Sequence, residues 1–207
     1  MAEREAEVSD PRSENVMAWA SLWGDLTLVD MLLLARAQLP NNAEQIFARR
    51  GLWEAAVIAY GRTVNNGRRL ARVGELLDEM SGSARATHDA VQEWRNQHVA
   101  HRVDPDREAV SVHAVFDDAD DDATMSNLRI RVTPTTGPED EGTELAQQFA
   151  DLVKELRDAA WRTRIDPLAG DLLEQLQERA GELSAEPTVY EGPPKGYMFT
   201  INPAKRA

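Results

Sequence analysis

The sequence predicts a mainly α-helical, up-and-down bundle with a small β-hairpin insertion and further helices at its C-terminal end. Three observations point there. Apolar residues recur at helical spacing over several long stretches, the period changes once to alternation near residue 110, and clusters of Pro, Gly, Ser and Asn separate the stretches. With 207 residues, 42% of them hydrophobic and 29% charged, the chain can close one core without disulfides or metals. A single domain over 14–183 is predicted between an acidic N-terminal tail, 1–13, and an extended C-terminal tail, 184–207.

From Glu14 to Gln38, Val16, Trp19, Ala20, Trp23, Leu26, Val29, Met31, Leu32, Leu33 and Leu34 recur mainly at the helical period, with Ser13 placed to cap the start and Pro40 to end the run. A short helix, Ala43 to Arg49, is expected to stop at Gly51. The period resumes from Leu52 through Val57, Ile58, Tyr60 and Val64 to Leu77, with Gly61 and Gly67 weakening its middle. Ser81-Gly82-Ser83 then opens a helix from about Ala84 to His101, stopped by Asp104-Pro105. Val110, Val112, Ala114 and Phe116 alternate with polar residues, as do Leu128, Ile130 and Val132, so a β-hairpin is predicted over about 109–133. Its connection, Asp117 to Asp122, reads as a solvated acidic loop without the spaced ligands and glycine of a calcium loop. Leu145 to Trp161 is amphipathic, and Asp166-Pro167 begins a last helix reaching Leu183.

Composition narrows the function. The chain has no cysteine, which removes thiol nucleophiles, Cys-based zinc sites and disulfide frameworks. It opens without a signal peptide, and Thr27, Asp30 and Arg36 interrupt the longest apolar run, so neither a membrane span nor export is expected and the location is cytoplasmic. A net charge of −13 argues against sequence-blind attraction to nucleic acid. The charge is segregated, however: Gln45 to Arg107 carries 10 Arg against 8 acids, a net of +2, which leaves −15 for the rest.

The chemistry concentrates in Arg95-Asn96-Gln97-His98-Val99-Ala100-His101. Arg95 and His101 stand six residues apart near a helix end, about a turn and a half, so one copy makes a loose pair. If two copies pack this helix against its mate about a two-fold axis, both pairs converge in one cleft. Such groups suit metal-free RNA cleavage, in which a histidine takes the proton of a ribose 2′-hydroxyl and a guanidinium stabilises the phosphorane. Asn96 can donate to phosphate or hold a side chain in place, and Trp94 can pack beneath. Arg102 and His98 flank the pair as substrate-binding residues, and Arg69 belongs to a basic stripe with Arg62, Arg68 and Arg72 that either tracks RNA or pairs with Glu75, Asp78 and Glu79. A histidine at a helix end also serves simply as a dipole-stabilised cap. No metal site is expected, because His98 and His101 have no carboxylate in the same turn. His88 and His113 read as core or surface fillers, and Trp19, Trp23 and Trp53 as core.

These residues carry a family resemblance. EWRNQHVAHRVD, Glu93 to Asp104, resembles the Arg-Asn-x4-His signature of HEPN domains, and LWEAAVIAYGRTVNNGRR, Leu52 to Arg69, resembles the preceding long helix of the abortive-infection-type members. The resemblance covers roughly Trp19 to Asp104. It implies a HEPN-like helical bundle, Arg95 and His101 as catalytic pair with Asn96 as polar neighbour, a homodimer, no cofactor, and an endoribonuclease acting on RNA as a toxin or in antiviral defence, with an antitoxin or phage protein as partner. Val103 stands where a subset of the family has the tyrosine modified by a partner nucleotidyltransferase, so that control is not expected. The alternative from another class is a non-catalytic dimeric helical module that binds a protein partner through its acidic surface. The two differ in whether Arg95 and His101 face an open cleft.

Overall fold

The computed structural model describes residues 4–5, 8, 10–65, 71–100, 109–116, 125–133, 144–179 and 186–187. Helix α1 (Pro11–Gln38) begins three residues before Glu14. Asp10 is its cap, the carboxylate accepting from the Arg12 amide at 2.9 Å, and Pro11 opens the first turn, where its missing N–H is no loss. Ser13 is therefore not the cap; it lies inside the first turn and donates to the carbonyls of Val8 and Asp10 at 3.1 and 2.7 Å. At the far end, Arg49 of helix α2 (Ile46–Asn65) donates to the carbonyls of Arg36 and Leu39 at 3.1 and 2.7 Å. The Leu39 amide also reaches the Arg36 carbonyl, at 3.2 Å, so Arg49 adds a second donor there and supplies one to the Leu39 carbonyl just past the helix end.

Gly51 does not divide α2 as the sequence reading expected. A glycine inside a helix costs about 1 kcal/mol, and here burial of Trp53, Ala56, Val57 and Tyr60 along the next turns outweighs it. The expected continuation to Leu77 is instead a separate short helix, α3 (Val73–Leu77), and residues 66–70 lie outside the described residues. Ser81 caps α4 (Gly82–Trp94), accepting from the Ala84 amide at 3.4 Å. A π-helical turn, Arg95–Ala100, extends α4.

The predicted hairpin forms from β2 (Ala109–Phe116) and β3 (Met125–Thr133), with Val112 opposite Ile130, Ala114 opposite Leu128 and an irregularity at Val115/Phe116. The alternation that predicted the strands does not bury their apolar side: Val112, Leu128 and Ile130 are exposed. Asp117 to Asp122 lies outside the described residues. Helix α5 (Leu145–Ala159) runs through a second π-helical turn, Ala160–Ile165, into α6 (Asp166–Glu178), with Pro167 in its first turn as expected. The predicted reach to Leu183 passes beyond the described residues. The regions read as tails meet in a short antiparallel pairing, β1 (Arg4–Glu5) with β4 (Glu186–Pro187).

The core lies where α1 packs on α2 and α5 and α4 packs on α5. Phe149 of α5 sits at its centre, edge-on to Trp53 at 5.7 Å and to Tyr60 at 5.0 Å, and Trp94 meets Trp53 edge-on at 5.3 Å. The tryptophans are thus core, as expected; Trp23 is half-buried against Trp161. An Asp30–Arg157 ion pair joins α1 to α5, and Arg36 lies 5.3 Å over the Trp53 ring. By length and composition α1 could cross a membrane. In this fold it is a bundle helix, with Trp19, Leu22, Leu26, Val29 and Leu33 buried against its neighbours.

Candidate functional site

Two neighbouring residues of the segment, Arg95 and Asn96, are described with their side chains, and they are in contact. Arg95 opens the π-helical turn at the end of α4, half-buried, and its Nη1 donates to Oδ1 of exposed Asn96 at 3.1 Å. Of the two roles foreseen for Asn96, holding a side chain in place is the one it performs here. Trp94, one residue earlier, does not pack beneath the pair; it points into the core against Trp53. Gln97 continues the turn by donating to Glu93 at 2.8 Å. Widening from α to π geometry inserts a residue into the helical repeat and re-aims the residues beyond it, and such turns are frequent at functional sites.

A residue that sequence reasoning treated only as a weak point turns out to seat Arg95. Gly61 of α2 is buried beneath the guanidinium arm: a Cβ placed on it would stand 2.5 Å from Arg95 Nε and 2.8 Å from Cδ. No carbon approaches those atoms so closely, so the arginine lies across α2 at this height because position 61 has no side chain. The sequence signal was a glycine in the middle of an otherwise strong helical run, whose cost of about 1 kcal/mol asks for a compensating reason.

The remaining predicted site residues fall into several groups. His98 lies within the π-helical turn and its side chain is outside the described residues; so are His101, Arg102 and Arg69 altogether. In the basic stripe, Arg62 and Arg72 are exposed, and Arg68, like Arg69, lies outside the described residues. Asp78 binds Arg85, and Glu79 binds Arg164, which also lies 5.4 Å over the Trp19 ring. His113 is exposed on β2 and shares a 2.7 Å hydrogen bond with Ser111.

His88 is a core histidine of a particular kind. Its Nδ1 is 2.8 Å from the Tyr60 hydroxyl in a buried contact. Desolvation lowers the His88 pKa, opposed by Asp89 and reinforced by Arg85. Desolvation raises that of Tyr60, with Arg85 opposing and Asp89 adding. Burial thus favours the neutral form of both groups, and the tautomer of His88 decides which of the two donates. This pair ties α4 to α2 two turns before Arg95, next to Gly61 in sequence.

An open groove of about 370 Å³ between α4 and α5 is lined by Thr87, Ala90, Gln148, Asp151 and Glu155 among others. Its two carboxylates make it unsuited to phosphate, and Arg95 does not line it. No protein-family model, no curated protein and no solved structure matches the chain.

Proposed function

We propose that the protein is a metal-independent endoribonuclease of the HEPN type, homodimeric and cytoplasmic, acting in a toxin or phage-defence setting. The observation that carries the reading is the seat of Arg95. A guanidinium laid over Gly61, tied to Asn96 and placed at the mouth of a π-helical turn is pre-positioned, and a positioned cation is what a phosphorane needs. His101, six residues on, is the proposed general base. It takes the 2′-hydroxyl proton as that oxygen attacks the adjacent phosphorus, the bond to the 5′-oxygen breaks, and the leaving oxygen regains a proton. The products are a 2′,3′-cyclic phosphate and a 5′-hydroxyl. His98, Arg102 and Arg69 are the proposed contacts to the RNA backbone, and no cofactor is called for. An antitoxin or a phage protein is the proposed partner class.

The test is incubation of wild type, Arg95→Ala and His101→Ala with total RNA in EDTA, followed by analysis of fragment ends. Cleavage by wild type alone, leaving cyclic phosphate ends, supports the reading. Equal cleavage by His101→Ala overturns the role given to His101, and no cleavage by folded wild type overturns the nuclease reading in favour of a non-catalytic interaction module.

A further inference from the structure

The second π-helical turn, Ala160–Ile165, packs on α1, whereas Arg95 is seated on α2. It sets Trp161 and Arg162 beside Arg157 and Asp158 of α5 and Trp23 of α1, around an open pocket of about 470 Å³. That volume is in the range of small-molecule sites, which combine apolar and aromatic walls with a few placed polar groups. The two indoles are half-buried and meet at 5.9 Å with their planes 58° apart, so they form an angled aromatic wall rather than a closed stack. Two guanidiniums share the pocket with them.

Those guanidiniums differ in what holds them. Arg157 is bound to Asp30 on α1 and lies 3.6 Å from Asp158, so its charge is answered within the chain. Arg162 is exposed, and its Nε donates to the Asp158 carbonyl one turn back, at 3.3 Å. Among the described residues no carboxylate pairs with it. A guanidinium anchored through Nε keeps its two Nη groups as a planar fork, and that fork matches the two oxygens of a carboxylate.

We infer that this pocket binds a flat aromatic acid with a single carboxylate, the ring lying on the Trp23 and Trp161 indoles and the carboxylate on Arg162. Other ligand classes fit the same groups less well. A quaternary ammonium suits an aromatic wall but is repelled by two guanidiniums. A neutral ring leaves the Arg162 fork unused. A phosphate monoester brings nearly two charges to a chain of net −13, beside Asp158, whereas a carboxylate brings one and meets one guanidinium. A metal ion finds a single carboxylate here, already shared with Arg157. The inference goes beyond RNA cleavage, since none of these residues has a part in the proposed nuclease chemistry.

The experiment is calorimetric titration of the full chain, without RNA, with 2-naphthoate as the probe. Its comparators are the neutral 2-naphthalenemethanol, the non-aromatic cyclohexanecarboxylate, and adenosine monophosphate. Wild type is expected to bind 2-naphthoate at least tenfold more tightly than each comparator. Arg162→Met, at an exposed position, is expected to keep native circular dichroism, to weaken 2-naphthoate at least tenfold and to erase its lead over the alcohol. In NMR spectra of the indole N–H groups, the probe is expected to move the Trp23 and Trp161 signals and to leave those of Trp53 and Trp94 in place. Absence of binding by folded wild type at millimolar probe, equal binding by Arg162→Met, or a comparator that binds as tightly as 2-naphthoate overturns the inference. So does a probe that moves the Trp53 and Trp94 signals instead. Failure of RNA cleavage leaves the pocket standing, and failure of the pocket leaves the nuclease reading to its own test.

Discussion

Helices α1 and α5 lie against each other in one core, yet their outer faces are built differently. On α5 the exposed residues are Gln147, Gln148, Asp151, Lys154 and Glu155, and the buried ones are Phe149, Leu152, Val153 and Leu156. The helix divides cleanly between water and core. On α1 the buried Trp19, Leu22, Leu26, Val29 and Leu33 are backed by exposed Met17, Leu28, Met31 and Leu34. Both helices are equally legible as helices, but only on α5 does apolar character mark the buried side. On α1 apolar residues continue past the buried side, so the period alone does not say which of them meet the core.

Four substitutions or conditions sharpen that contrast. The largest effect belongs to the shared core: Phe149→Ala removes the ring that Trp53 and Tyr60 both meet edge-on. It should cost about 3–5 kcal/mol in urea unfolding; a loss under 1 kcal/mol would mean the aromatic cluster is not central. Next comes the joint at the end of α1. Arg49→Met leaves the Leu39 carbonyl without this donor and the Arg36 carbonyl with the Leu39 amide alone, and should cost about 1–3 kcal/mol, whereas Lys154→Met on the wet side of α5 should stay within about 0.5 kcal/mol.

The third concerns pH. The His88 pKa is lowered by burial, so its contribution is present above the unfolded value near 6.5 and is lost as pH falls toward the folded one. Burial raises that of Tyr60, so its contribution is present below about pH 10 and is lost as pH rises further. Thermal melts should show a plateau between those limits, with the acid arm removed in His88→Phe. The smallest effect separates two glycines of one helix. Gly51→Ala, facing open space, should stabilise by about 0.5–1 kcal/mol. Gly61→Ala should gain less, because Arg95 must move, and should lower any RNA cleavage by at least tenfold; equal gains at both positions and unchanged activity would show that Gly61 does not seat Arg95.

The same contrast governs how much was legible in the sequence. Where one face is wet, as in α5, the period placed the helix. The start at Pro167 was readable, Ser81 was read as part of a separator although it is the cap of α4, and the cap of α1 was misassigned to Ser13, because Asp10-Pro11 offers a stronger start upstream. Gly51 misled because local propensity was weighed without the tertiary burial of Trp53 and Tyr60 behind it. At the site, Arg95 and Asn96 were named from a local motif. Their seat was not, since the approach of residue 95 to residue 61 is a tertiary fact, and neither was the π-helical turn, which no spacing rule marks.

The contact between Arg95 and Gly61 also makes two distant letters of the sequence into one inherited character. A lineage that acquires a side chain at position 61 loses the room that the arginine occupies, and a lineage that loses the arginine leaves a slot on α2 which a larger residue would fill with profit to helix stability. Among descendants of this chain, glycine at one position and arginine at the other should therefore be kept together or lost together.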